Sequence, residues 1–354
     1  MHASIKHKLL VVVILFLYLI ILSACAGAPA TEAPAAPEEP SQELPVAYGQ
    51  DSRTELFQHP DTRLKEMSTS VAVLVHSQQV LSSGNSISLS GYTLNEMGEK
   101  GWLVPNVNAP MCSSELFVAQ PAPGFCTGFL VGEDILVTAG HCLQKVPCAD
   151  TSIVFDFQME TVDSLATLST ENVFKCTDVI AQVLPTPENQ YLDYAIIKLD
   201  RPTGRAALEY ATEDSLIAQN NVAVLGHPSG LPMKVASDAF VMGNETGAPF
   251  FVTNLDTFGS NSGSPVINTT SYQVEGILVR GEIDYVLSED GSCIQVNHCP
   301  ENGGELCAGE NATKMAMLVD EIPESTGANS ENLTCLPGLL TVLILALLVR
   351  LKTI

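Results

Sequence analysis

The chain has few basic residues. It contains 16 Lys and Arg against 40 Asp and Glu, so its formal net charge is −24. A surface of that sign repels the phosphates of nucleic acids, which argues against a nucleic-acid-binding function. The acidity suits a protein that is soluble outside the cell, and it would attract cationic peptides.

The chain also lacks a long apolar run near its beginning. Leu9 to Leu22 is apolar throughout, but this is shorter than the ~20 residues that span a bilayer. Because Lys6 and Lys8 precede it, the run predicts an export signal. Leu22-Ser23-Ala24-Cys25 follows and resembles a bacterial lipobox, which predicts a lipoprotein-type signal peptide over residues 1–24 and lipidation of Cys25. An ordinary signal or an uncleaved anchor are the alternatives.

A low-complexity segment comes next. Of the 20 residues from Ala26 to Pro45, 15 are Ala, Pro or Glu, a composition that cannot bury a core. We expect an extended spacer that reaches ~60 Å at ~3.1 Å per residue. The predicted organisation is a linker over residues 25–66 and a folded domain over residues 67–320.

The predicted C-terminal segment, residues 321–354, combines a linker with an apolar tail. Leu336 to Val349 is interrupted by only three residues that are not apolar, and Arg350 and Lys352 follow. Flanking basic residues are typical of a membrane-associated end. The tail resembles bacterial sorting tails that a processing enzyme removes; a buried C-terminal helix is the alternative.

Metal-ligand spacing is absent as well. His59, His76 and His298 form no recognisable ligand pattern, so we expect neither a metal nor a cofactor. The ten cysteines instead indicate an oxidising compartment, such as the cell envelope or the extracellular space.

Three short segments carry the chemistry. They contain a histidine, an aspartate and a serine in chain order: Thr138-Ala139-Gly140-His141-Cys142, Asp193-Tyr194-Ala195-Ile196-Ile197 and Asn261-Ser262-Gly263-Ser264-Pro265. A serine hydroxyl is a weak nucleophile unless a base accepts its proton, and the base needs a third group to fix its tautomer. The order and the residue types predict a nucleophilic triad.

The local pattern places these segments at strand ends. Apolar runs over 128–131 and 135–137, joined by a Gly-Glu-Asp turn, predict a hairpin that ends just before His141. Asp193 opens an alternating strand over 194–199, and another strand is predicted over 222–225. Short apolar runs with frequent Gly, Pro and Asn indicate an all-β fold.

These motifs resemble the trypsin-like, chymotrypsin-fold serine proteases over roughly residues 112–281. Asn-Ser-Gly-Ser-Pro is most similar to the bacterial glutamyl-endopeptidase branch. The resemblance implies two antiparallel six-stranded β-barrels with the active site between them. It also implies a serine endopeptidase that acts on proteins or peptides, in which Ser262 is the nucleophile, His141 the base and then the acid, and Asp193 the orienting group. Asp178 and Asp200 are rivals for the last role.

The resemblance assigns the oxyanion hole to the backbone N–H groups of Ser260 and Ser262. The family usually has glycine at the position of Ser260, because glycine adopts the required peptide orientation most easily. This departure motivates an alternative, a non-catalytic surface protein with a protease fold. In the animal enzymes an aspartate at the position of Asn261 pairs with a freed N-terminus; Asn261 cannot, so activation must differ.

One disulfide, Cys126–Cys142, is implied by the resemblance and would pin the histidine loop. Setting aside Cys25 and Cys335 beside the apolar ends, Cys148–Cys176 follows by elimination. The remaining four cysteines form two bonds whose pairing the sequence leaves open: Cys112, Cys293, Cys299 and Cys307.

Substrate preference is the least determined feature. The predicted specificity-pocket residues are Asp256, Thr257, Leu278 and Arg280. Asp256 lies where trypsin-like enzymes hold the carboxylate that binds a basic side chain, whereas Leu278 stands where the glutamyl branch has its glutamate-reading histidine. We expect cleavage after Arg or Lys, with cleavage after Glu through Arg280 as the alternative.

Overall fold

The computed structural model describes residues 47–187, 191–281, 283–300, 302–304 and 307–323. The predicted signal peptide, Cys25, the Ala/Pro/Glu-rich spacer to Pro45 and the apolar tail lie outside these residues. No helix within the described ranges is long and apolar enough to cross a membrane.

Strands dominate the described part of the chain. The helices are α1 (Thr62–Ser68), α2 (Leu94–Glu99) and α3 (Gly140–Lys145), with 3-10 turns at Ser77–Gln79, Cys148–Asp150, Thr170–Asn172, Pro228–Gly230, Met315–Met317 and Val319–Glu321. The strands are β1 (Ala47–Tyr48), β2 (Thr54–Glu55), β3 (Val71–His76), β4 (Val80–Ser83), β5 (Ser86–Leu89), β6 (Cys126–Leu130), β7 (Ile135–Thr138), β8 (Thr151–Phe155), β9 (Met159–Thr161), β10 (Ser164–Leu165), β11 (Leu168–Ser169), β12 (Val173–Val183), β13 (Tyr194–Leu199), β14 (Asn221–Gly226), β15 (Lys234–Gly243), β16 (Phe250–Thr253), β17 (Pro265–Asn268), β18 (Val274–Arg280), β19 (Tyr285–Leu287), β20 (Ile294–Val296), β21 (His298–Cys299) and β22 (Glu310–Lys314).

The first barrel closes in the order β12-β13-β7-β6-β3-β8, with antiparallel pairing throughout. It contains the predicted hairpin as β6 and β7, paired from Gly128↔Thr138 to Leu130↔Leu136. The predicted strand after Asp193 is β13, and Val71 to Val75 belongs to β3. Strands buried on both faces explain why these runs are continuously apolar.

The second barrel follows the order β14-β17-β18-β22-β16-β15, and pairing of β14 with β15 closes it. The short strand β2 adds to β15 from outside, through Lys234↔Glu55 and Val235↔Thr54. Two six-stranded antiparallel barrels are therefore present, which confirms the predicted fold class.

The folded part begins earlier in the chain than the predicted boundary at residue 67. Residues 47–66, assigned to the linker from sequence, form β1, β2 and most of α1. Unlike the spacer before them, they carry apolar side chains that are buried, including Ala47, Leu56 and Leu64. Burial of these apolar side chains stabilises the folded conformation of the segment.

Four disulfides join the described cysteines. Cys126–Cys142 and Cys148–Cys176 pair as expected, and the bonds left open by the sequence are Cys112–Cys293 and Cys299–Cys307. The bond between Cys112 and Cys293 joins two residues whose sequence separation is 181. Four disulfides in one chain indicate folding in an oxidising compartment, as in exported proteins.

Candidate active site

His141 lies in the first turn of α3, directly after β7. Its ring nitrogen Nδ1 is 2.7 Å from Asp193 Oδ2, and its backbone N–H donates to Asp193 Oδ1 at 3.0 Å. Because an ionised carboxylate only accepts, the proton of the neutral ring sits on Nδ1. The other nitrogen, Nε2, is then left with a lone pair, which is the form a general base requires.

Asp193 is held rigidly where β13 begins. Its side chain is buried, and its backbone N–H donates to the hydroxyl of Thr313 at 3.2 Å. Gly140 has no room for a side chain, since a Cβ there would collide with backbone carbonyls of Val183 and Tyr194. This close approach explains the glycine before His141 and sets the distance between the imidazole and the carboxylate.

Ser262 lies on a loop that packs against the hairpin of β6 and β7. Its carbonyl accepts from Thr127 N–H at 2.9 Å, and Gly263 N–H donates to Leu278 O at 2.7 Å. Gly263 has φ +91, and a Cβ there would overlap Thr127 and Thr138. The glycine after Ser262 is therefore required both by its dihedral angle and by contact with the strand that leads to His141.

Ser260 adopts the left-handed conformation, with φ +70. Asn261 N–H donates to Phe258 O at 3.0 Å, which closes a tight turn over residues 258–261. The carbonyl of Gly259 accepts from Ser229 N–H at 2.5 Å. Within the described residues, neither Ser260 N–H nor Ser262 N–H donates a hydrogen bond, so both remain able to bind an oxyanion.

Asp256 is buried, but its two carboxylate oxygens are already bonded. Oδ1 accepts from Tyr48 N–H at 2.7 Å, and Oδ2 accepts from the N–H and the hydroxyl of Ser52, both at 2.6 Å. The resemblance implied a basic side chain of the substrate as its partner. The partner is instead the N-terminal segment, which sequence reasoning assigned to the linker.

The other predicted pocket residues separate into two groups. Thr257 and Leu278 are both buried, and Leu278 packs in a hydrophobic cluster of the second barrel. Arg280 lies at the exposed end of β18, with its guanidinium 5.4 Å from the centre of the Tyr191 ring.

A carboxylate that the sequence analysis missed lies next to Thr257. Glu310, at the start of β22, is 1% exposed and accepts a hydrogen bond from the Thr257 hydroxyl. A Cβ on Gly281 would collide with this carboxylate, so Gly281 leaves the space that Glu310 occupies. No local motif marks Glu310; the pairing of β22 with β16, in which Glu310 lies opposite Thr253, and with β18 places it beside Thr257.

A second histidine–serine contact does not have the same chemistry. His59 Nε2 is 3.0 Å from Ser237 Oγ, but His59 Nδ1 accepts from Asp61 N–H at 3.3 Å. The ring proton is therefore on Nε2, which must donate to Ser237 and cannot take its proton. Burial also lowers the pKa of His59, so the ring is neutral here.

Cys126, His141 and Cys142 lie close together, within reach of a single metal ion. The two sulfurs are bonded to each other, so neither offers the thiolate that a metal binds. This group therefore pins the histidine loop and is not a metal centre.

Residues 126–277 match the family model described as a trypsin-like peptidase domain. This stretch of the chain is similar to trypsin-like peptidase domains. The match covers the segments of His141, Asp193 and Ser262. It confirms the resemblance to trypsin-like serine proteases that the motifs indicated. No curated protein matches the chain.

Solved protease structures resemble this peptidase domain at low identity. The VesB protease of Vibrio cholerae is 14% identical with a TM-score of 0.46, over 78% of this chain and 66% of that one. A Glu endopeptidase solved in complex with MPD is 16% identical with a TM-score of 0.42, over 78% of this chain and 97% of that one. The chain thus spans slightly less than two thirds of VesB.

Proposed function

We propose that the protein is a serine endopeptidase that hydrolyses peptide bonds through an acyl-enzyme on Ser262. The observation that carries the proposal is the 2.7 Å contact between His141 Nδ1 and Asp193 Oδ2, which leaves Nε2 as a base. Ser262 Oγ attacks the scissile carbonyl while its proton passes to Nε2 of His141. The imidazolium then protonates the leaving amine, and water repeats the sequence to release the acid.

The negative charge that develops on the carbonyl oxygen would be stabilised by Ser260 N–H and Ser262 N–H. Two such donors, fixed before the reaction, stabilise the tetrahedral intermediate more than the planar substrate. The hydrogen bond from Ser229 N–H to the Gly259 carbonyl supports this role. The same peptide unit carries the N–H of Ser260, so fixing the carbonyl also fixes the direction of that N–H.

For specificity, we propose a preference for a basic side chain, read by Glu310 and Thr257 in place of Asp256. A substrate glutamate would bring a second carboxylate beside buried Glu310, which is costly, whereas a Lys or Arg side chain would bring the opposite charge. We leave Asp256 out of this proposal because its carboxylate bonds Tyr48 and Ser52 of the N-terminal segment, whereas the Glu310 carboxylate bonds Thr257 of the loop that leads to Ser262.

We further propose export to the cell envelope, with membrane attachment through lipidated Cys25 and a spacer ahead of the peptidase domain. The domain division would be 1–24 signal, a linker from Cys25, the peptidase to about residue 320, and a tail over 321–354. Mass spectrometry of the N-terminal peptide tests this proposal. An unmodified Cys25, or a chain that still begins at Met1, would refute it.

Fluorophosphonate labelling tests the enzymatic proposal, since the probe reacts only with an activated serine. Wild-type protein should label, and Ser262→Ala should abolish both labelling and peptidase activity. Ser264→Ala is the matched control, because Ser264 is buried two residues away and its hydroxyl is 3.5 Å from Asn261 Oδ1. A folded wild-type protein that never labels would favour the non-catalytic surface protein instead.

A further inference from the structure

The segment of residues 47–53, here called the strap, runs alongside the loop that carries the oxyanion hole. Its first residues form β1, which pairs in parallel with β21. Ala47 N–H donates to Asn297 O at 3.0 Å, and Gly49 N–H donates to Cys299 O at 2.9 Å. The strap is thus fixed to the C-terminal part of the fold before it reaches the site.

The first contact between the strap and residues 256–260, here called the pocket loop, is made by Asp256. This carboxylate is 3% exposed and receives all three of its hydrogen bonds from Tyr48 and Ser52. Burial raises the pKa of Asp256, while the bonds from Ser52 and Tyr48 act in the opposite direction. Without the strap, the pocket loop would contain a buried carboxylate with those donors missing, which is an unfavourable state.

The second contact is made by Arg53. Its guanidinium lies 3.5 Å from the centre of the Phe258 ring and is 3% exposed as a residue. It also binds Asp51 through two hydrogen bonds, of 2.9 and 2.6 Å. A paired, desolvated guanidinium on an aromatic face fixes the position of that ring. Phe258 is the first residue of the turn that presents Ser260 N–H.

The peptide that follows Phe258 is held from the opposite direction. Gly259 N–H donates to Asp284 Oδ2 at 2.7 Å, and the Gly259 carbonyl accepts from Ser229 N–H. Ser229 Oγ is in turn 2.7 Å from the hydroxyl of Tyr285, whose ring packs on Phe258 at 5.5 Å. The strap therefore supplies one side of a clamp, and the other side is formed by Ser229, Asp284 and Tyr285.

Asn261, the residue before Ser262, carries no charge that could help to order the pocket loop. Asn261 is 2% exposed and neutral, so a newly formed ammonium group would find no carboxylate there. The strap is an internal segment, and its hydrogen bonds to Asp256 come from Tyr48 N–H and from Ser52, neither of which has to be a newly formed N-terminus. The contacts that order the pocket loop are thus complete in a chain that has not been cut near the strap.

We propose that Ser52 and Arg53 of the strap are positioning residues, which hold the pocket loop in its active conformation in the uncut chain. Activity then needs no cleavage between the strap and the first barrel. The inference rests on the proposed serine peptidase function. According to this inference, the contacts of the strap order the active site, and cutting the chain within residues 47–53 inactivates the protein.

The test compares strap variants with matched controls. Ser52→Ala and Arg53→Met should lower the rate constant for fluorophosphonate labelling per folded molecule by about ten- to hundred-fold, since oxyanion-hole geometry controls that rate. Ser52→Thr keeps the hydroxyl and should restore most of the rate. The control for Ser52→Ala is Ser68→Ala, in which a serine outside the strap and the pocket loop loses a 2.7 Å hydrogen bond to Lys65 O. The control for Arg53→Met is Arg205→Met, in which an arginine loses its bidentate pairing with Asp156 and its stacking on Phe155.

The controls are expected to lower the melting temperature without changing the labelling rate of folded protein. Strap variants that fold and label at the wild-type rate would overturn the inference while leaving the proposed function intact. Folded wild-type protein that does not label would refute both the proposed function and this inference. Mass spectrometry adds an independent result: labelled wild-type molecules should contain an intact 47–53 peptide, and labelling confined to molecules cut in or after the strap would also overturn it.

Discussion

The hydroxyl of Thr257 donates a hydrogen bond to the carboxylate of Glu310, 53 residues later in the chain. Both side chains are buried, at 1% exposure each. One belongs to the loop that leads to Ser262 and the other to a strand of the second barrel, so the bond joins the candidate pocket to the barrel wall. This relationship gives the peptidase a carboxylate where the sequence had offered only Asp256.

We expect Glu310→Gln to reduce kcat/KM for peptides cleaved after Arg or Lys by about 10²-fold, because the substrate cation loses its charged partner. Rates should be normalised to titrated active sites so that only folded molecules are counted. Glu275→Gln is the matched control, since Glu275 is also buried in the second barrel, bonded to Asn268 at 3.0 Å. Dominant cleavage after Glu in a peptide library would contradict the assignment and point to Arg280.

The orienting role of Asp193 gives a second prediction. Asp193→Asn should lower kcat by about 10³–10⁴-fold, because an amide can donate to Nδ1 and so favour the tautomer that cannot act as a base. The variant should fold, since His141 N–H can still donate to the amide oxygen. Asp178→Asn and Asp200→Asn are the controls, as both are aspartates that the sequence alone could not separate from Asp193. Loss of activity in either, with Asp193→Asn active, would reverse the assignment.

Much of the barrel framework was predictable because its determinants are local. Runs such as 128–131 and 135–137 are apolar and bounded by turn residues, and they became β6 and β7. The His141 and Ser262 segments could be recognised because close packing fixes residues such as Gly140 and Gly263 beside them. In both cases the sequence signal and the structural constraint involve the same few residues.

The pocket and the strap were not predictable, because their contacts join distant parts of the chain. Ser52 and Asp256 are 204 residues apart, and nothing near Ser52 marks it as a partner for a buried carboxylate. Residues 77–122, which insert β4, β5 and α2 between β3 and β6, were likewise not anticipated. Contacts of this kind are decided by the topology of the whole fold and not by local preference.

The backbone of Ser260 gives a third prediction, on stability. A residue other than glycine in the left-handed region carries strain of roughly 1–2 kcal/mol. Ser260→Gly and Ser260→Ala both lose the 3.2 Å bond from Ser260 Oγ to Gly124 O, but only glycine relieves the strain. We therefore expect Ser260→Gly to be more stable than Ser260→Ala by about 1 kcal/mol in urea unfolding. Equal stabilities would show that the dihedral angle at Ser260 is not strained.

The final prediction concerns acid stability and His227. Burial lowers the pKa of His227 from 6.5 to about 3, and its Nδ1–H donates to Leu231 O at 2.9 Å. The unfolded state therefore takes up a proton at a higher pH than the folded state. The stability from neutral His227 is fully present above pH 6.5 and is lost as the pH falls from 6.5 towards 3, by up to about 5 kcal/mol.

His227→Asn should remove that part of the pH dependence, even though the variant is less stable at pH 7.5 through imperfect packing against Phe157. The measurement is the free energy of unfolding in urea between pH 7.5 and 4.5 for both proteins, with His59→Gln as a control for the other histidine whose pKa burial lowers. The slope should flatten much more in His227→Asn than in the control, because His59 is the less enclosed of the two. Parallel pH profiles for wild type and His227→Asn would mean that the pKa of His227 is the same in the folded and the unfolded protein.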